Sequence, residues 1–103
     1  CYAPTVLLNP SDEAQVSARE IFGPVINIYS FKDRLEAIER ANSTPFSFQA
    51  AVFTRNINTA LDTAKRINAA TVMINDHTAF RVDWMPLAVA KLQVWALEEF
   101  FPP

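Results

Sequence analysis

Three short apolar runs rich in β-branched side chains alternate with two amphipathic stretches, and that order limits what the chain can fold into. Residues 25–31 read VINIYSF, residues 48–54 FQAAVFT and residues 71–75 TVMIN, each long enough for a strand buried on at least one face. Between the first two, Leu35, Ile38 and Ala41 repeat every three residues, with Lys32, Arg34, Glu36, Glu39 and Arg40 on the other faces. That spacing predicts a helix over residues 32–42, with Ser30 as N-cap and Asp33 in the capping-box position. Between the second and third runs, Ile57, Ala60, Leu61, Ala64 and Ile67 recur at helical spacing behind two possible caps, Asn56 and Asn58. Strand-helix-strand-helix-strand is the order of crossover units, so the expected fold class is α/β on a mainly parallel sheet.

Ahead of this series, residues 2–8 read as an edge strand ended by Asn9, Pro10, Ser11 and Asp12. Residues 12–19 allow one or two helical turns capped by Ser11 or Asp12, and Gly23 and Pro24 stop them. Gly23 is the only glycine in 103 residues, which leaves the turns to Pro, Asn, Ser and Asp and excludes a glycine-rich phosphate loop. After Asn75 the periodicity breaks. Residues 76–86, DHTAFRVDWMP, read as an ordered loop outside a strand's carboxyl end, the most function-like segment of the chain. Leu87, Ala90, Val94, Leu97 and Phe101 then form a short heptad seam, open to either a partner helix or a pairing strand.

Composition narrows the function. Nine Lys and Arg against eleven Asp and Glu, with no basic block, argue against nucleic acid as a partner. No apolar run approaches the ~20 residues of a membrane span and no signal peptide is seen, so no membrane contact and a cytoplasmic location are expected. The length suits one small domain with a single core. The chain starts at Cys1 without a methionine, from a trimmed initiator or from a start inside a longer gene. A lone cysteine makes no internal disulfide, and Cys1 has no base near it in sequence, so it reads as inert. His77 with Asp76 and Asp83 falls short of metal-ligand spacing, and no metal site is expected. Glu20 can accept hydrogen bonds from a ligand hydroxyl and Phe22 can offer a ring face, although the same residues also read as a surface carboxylate and a core ring.

EIFGPV at residues 20–25 resembles a motif late in the catalytic domain of the NAD(P)-dependent aldehyde dehydrogenases. YAPTVL before it, Ala41-Asn42-Ser43-Thr44, AAVFT at residues 50–54 and VMIND at residues 72–76 are similar to successive family landmarks in the same order. Pro86 falls where the family's Pro-Phe-Gly-Gly loop begins, so the resemblance covers residues 2–86 and implies an aldehyde-dehydrogenase-like α/β segment. It implies that Glu20 holds the nicotinamide ribose hydroxyls, that Phe22 packs near the nicotinamide, and that His77, Phe80 and Arg81 belong to the loop lining the aldehyde entrance. HTAFRVDWMP is similar to members acting on small hydroxylated or phosphorylated aldehydes, for which Arg81 suits an anion clamp.

The family's nucleophilic cysteine, general-base glutamate and Rossmann-like domain lie upstream of the resembling part, and Cys1 does not match the nucleophile. These residues alone are therefore expected to be inactive and to bind no cofactor, while NAD or NADP belongs to the parent reaction, oxidation of an aldehyde to an acid. Residual binding through Glu20 and Phe22 would be very weak. Ser47 and Ala70 replace glycines usual in the family, and the sequence departs from it at Leu87. If TTT-GGC-GGT-GGC lost one T, it would read Leu-Ala-Val-Ala as at residues 87–90, and the same shift lets residues 91–96 hide Lys-Thr-Ser-Gly-Leu-Gly. Residues 87–103 are thus expected to be a divergent, frameshifted apolar tail that drives homo-oligomerisation. The alternative reading is a noncatalytic, self-associating α/β module.

Overall fold

The computed structural model describes residues 1–80, which fall in two compact units divided between Ala37 and Ile38. In the first unit, β1 (Thr5–Leu8) pairs in parallel with β2 (Val25–Ile28), and α1 (Gln15–Ala18) lies in the crossover between them. α2 (Arg34–Asn42) begins in that unit and ends in the second. There β3 (Gln49–Val52) pairs in parallel with β4 (Thr71–Ile74), joined by α3 (Ile57–Arg66), which packs against both strands. The parallel α/β reading therefore holds, but the strands form two two-stranded sheets among the described residues instead of one. Order along the chain fixes the crossovers and leaves the pairing of β2 with β3 open.

Burial is thin. Among the described residues only Ile38, Ala60, Ser47 and Thr63 are buried, so the single core expected from length is not found there. On the β1–β2 sheet the pleat turns Thr5, Leu7, Val25 and Asn27 to the half-buried side. The opposite face carries Val6 and Ile26, both 62% exposed, with Leu8 at 73% and Ile28 at 48%. Four aliphatic side chains in register make an apolar plate of the kind that proteins cover.

Asparagines do what glycine does elsewhere. Asn9 (φ 47) and Asn75 (φ 56) are the positive-φ residues at the ends of β1 and β4, a conformation that Asn tolerates better than most. Each side chain adds a rung beyond its sheet: Asn9 Oδ1 accepts from Ser30 N at 2.9 Å, and Asn75 accepts from Thr54 N and donates to Thr54 O, both at 2.9 Å. Asn42 ties α2 to the end of α3, donating to Arg66 O and accepting from Asn68 N, both at 2.8 Å. Replacing Asn75 by Ala removes two hydrogen bonds and leaves a residue that tolerates the left-handed region less well than Asn. The expected loss is about 2–4 kcal/mol in urea unfolding, with Asn75→Gly losing roughly half as much because it keeps the backbone. Equal losses for the two variants would contradict this account.

The helix starts differ from the sequence expectation. Ser30 does not cap α2, because its N–H and hydroxyl are turned to Asn9 Oδ1. Asp33 caps it instead, accepting from Leu35 N at 2.9 Å, and the helix begins at Arg34. Likewise α1 opens at Ala14 without a side-chain cap, since Ser11 Oγ accepts from Glu13 N and Asp12 lies outside the helix. Asn56 is the α3 cap, accepting from Thr59 N at 3.0 Å.

Candidate cofactor and substrate loops

Residues 19–24 join α1 to β2 and carry the two cofactor-contact candidates. The exit is fixed by Thr5 N donating to Pro24 O and by Val25 N donating to Gly23 O, both at 2.8 Å. Glu20 is exposed, and its carboxylate has no hydrogen bond or ion pair with any described residue. Phe22 is 94% exposed, so among the described residues it is an open ring and not a core one. The ring borders a largely apolar cavity of about 560 Å³, whose walls include Tyr2, Leu7, Val16, Ile21 and Val25. Gly23 has no positive φ, and a Cβ there would meet only Ile21 Cγ2, at 3.9 Å, so no neighbour in the described structure demands a glycine.

In the second unit, residues 75–80 follow β4. Asp76 Oδ1 accepts from His77 N at 2.8 Å, and Ala79 N donates to His77 Nδ1 at 3.1 Å. An accepting Nδ1 puts the neutral ring's proton on Nε2. That nitrogen stands 3.9 Å from Asp76 Oδ1, too far for a hydrogen bond, and both side chains are exposed. Phe80 is exposed on the same loop, and Arg81 lies outside the described residues, as do residues 87–103. Thus Glu20 shares one loop with Phe22, and His77 shares another with Phe80.

Two polar residues have interior roles that the sequence did not reveal. Asn27 sits opposite Leu7 in the sheet, donates to Val16 O at 2.7 Å, and keeps its own Oδ1 enclosed without a partner. A lone amide within VINIY was the available signal. Ser47, one of the two residues standing where the resemblance expects glycine, is buried with its hydroxyl donating to Asn68 O.

The family model for the aldehyde dehydrogenase family matches residues 1–91. The chain belongs to the aldehyde dehydrogenase family. An aldehyde dehydrogenase of Enchytraeus buchholzi is 48% identical over 77 residues, which are 75% of this chain and 16% of that protein. Aldehyde dehydrogenase 21 of Physcomitrella patens, solved in complex with the reaction product succinate, superposes with a TM-score of 0.80 at 35% identity, over 85% of this chain and 18% of that one. A Bacillus cereus aldehyde dehydrogenase in complex with NAD+ gives 0.78 at 36% identity, over 85% and 18% of the two chains. The chain therefore spans less than a fifth of the length of these aldehyde dehydrogenases.

What the loop at residues 20–24 offers fits a dinucleotide. A carboxylate without a partner among the described residues can accept from both hydroxyls of a ribose diol, and an open aromatic face suits a flat ring.

Proposed function

We propose that this segment is the part of an NAD(P)-dependent aldehyde dehydrogenase that brings the cofactor-contacting loop and one wall of the substrate entrance to a longer chain. The observation that carries the reading is the pairing, on one short loop, of the unpartnered Glu20 carboxylate with the 94% exposed Phe22 ring. The dinucleotide, when bound, supplies the hydride acceptor. Glu20 orients it through the ribose, Phe22 limits how far its nicotinamide end can move, and His77 and Phe80 shape the aldehyde's approach. The exposed apolar plate of β1–β2 supports the same reading, since it calls for cover from residues beyond the described ones. Succinate, the reaction product held by the Physcomitrella patens enzyme, carries a second carboxylate besides the one that oxidation of an aldehyde forms. An arginine at position 81 likewise suits a small hydroxylated or anionic aldehyde.

Assay of the intact protein that carries these residues tests the proposal. Aldehyde-dependent formation of NADH or NADPH is expected, with small anionic aldehydes favoured over neutral ones of similar size. Absence of turnover with every aldehyde and both cofactors would count against it.

Residues 87–103 are proposed to self-associate by burying Leu92, Trp95, Leu97, Phe100 and Phe101. Light scattering of the purified 103-residue polypeptide should show species larger than a monomer, and deletion of residues 87–103 should reduce them. A clean monomer at high concentration contradicts it.

A further inference from the structure

Nothing within α1 itself explains how it is held in place. Its four residues are too few to be stable alone, none of them is buried, and its N-cap makes no side-chain hydrogen bond. The hydrogen bonds that reach it from β2 and from Tyr29, just past the strand, are made by side chains. Asn27 Nδ2 donates to Val16 O at 2.7 Å, and Tyr29 Oη donates to Ser17 Oγ at 2.7 Å. Ser17 Oγ passes the chain on to Ser11 O, again at 2.7 Å. Asn27, Tyr29, Val16 and Ser17 are all half-buried, so water competes poorly for these bonds. The enclosed, unpartnered Oδ1 of Asn27 is a cost that an aliphatic side chain in β2 would avoid.

We infer that Asn27 and Tyr29 are positioning residues for Glu20, acting through α1. The turn closes with Arg19 N donating to Gln15 O at 2.9 Å, and Glu20 is the next residue. At its other end the loop is clamped to β1 through Pro24 O. With both ends held, the backbone that carries Glu20 is confined to one path. If α1 is released, that backbone samples several. The inference rests on the proposed role of Glu20 at the cofactor, and concerns how that role is kept.

The test is a double-mutant cycle on the intact protein, read by fluorescence titration with NADH and NADPH, keeping the tighter-binding of the two, alongside thermal melting. Tyr29→Phe keeps the ring and removes the donor, and Ser17→Ala breaks the same link from the other side. Each is expected to raise the dissociation constant about threefold to tenfold. In a Glu20→Gln background the same substitutions should have almost no further effect, because the carboxylate they position is gone. A purely structural role would weaken binding equally in both backgrounds, and that result overturns the inference. So does unchanged binding in the Tyr29→Phe and Ser17→Ala single variants. If Glu20→Gln alone leaves binding unchanged, the cofactor role of Glu20 falls and takes this inference with it, an outcome distinct from the other two.

Discussion

Purified alone, the polypeptide of residues 1–103 is expected to form NADH or NADPH from any aldehyde at least about a million-fold more slowly than a full-length enzyme of the family, below detection. The reason is chemical. Family resemblance places the nucleophilic cysteine and the general base outside this segment, and Cys1 is an exposed thiol that does not match the nucleophile. In the proposed role Glu20 and Phe22 would offer two contacts to a dinucleotide that needs many, and two contacts do not offset the loss of translational and rotational freedom on binding. Nicotinamide absorbance over several hours, with enzyme at the highest soluble concentration, checks this. Saturable, aldehyde-dependent turnover by the isolated segment would contradict it.

Ala60→Asp is expected to unfold the second unit. Ala60 is 2% exposed on α3, the helix that packs on β3 and β4. A carboxylate forced into that site loses its hydration, and a buried charge left uncompensated costs about 3–5 kcal/mol. A domain's whole stability is about 5–15 kcal/mol. In the intact protein the substitution should lower the melting midpoint by many degrees or abolish soluble expression. By contrast, loss of the exposed Asp62–Arg66 pair on the same helix should cost at most about 0.5 kcal/mol. An unchanged midpoint for Ala60→Asp would mean that α3 does not lie on the β3–β4 sheet as described.

Legibility followed the range of the interactions. α3 was readable because everything that defines it is local: the spacing of Ile57, Ala60, Leu61 and Ala64, and Asn56 reaching three residues ahead. α2 was readable as a helix but not in its first turn, because Ser30 is claimed by Asn9, 21 residues away, and Asp33 takes over the cap. The strands came out shorter than their apolar runs. β2 was expected to reach residue 31, yet pairing stops at Ile28, whose carbonyl accepts from the N–H of Asn9, the left-handed residue that ends β1. Phe22 shows the limit of composition: an aromatic ring fits a core or an open loop equally well in sequence, and only its 94% exposure decides. EIFGPV marked the loop as worth inspecting, whereas Asn27 and Tyr29 gained meaning only once β2 faced α1.

The central claim is that Glu20 faces the dinucleotide. The dissociation constant of NADH or NADPH for the intact protein, compared between wild type and Glu20→Gln, tests it most directly. Hydrogen bonds to a charged group contribute about 1.5–3 kcal/mol, so binding should weaken about 10- to 100-fold while the melting temperature of the unliganded protein stays put. Equal constants for the two proteins would show that Glu20 is a surface carboxylate with no part in cofactor binding.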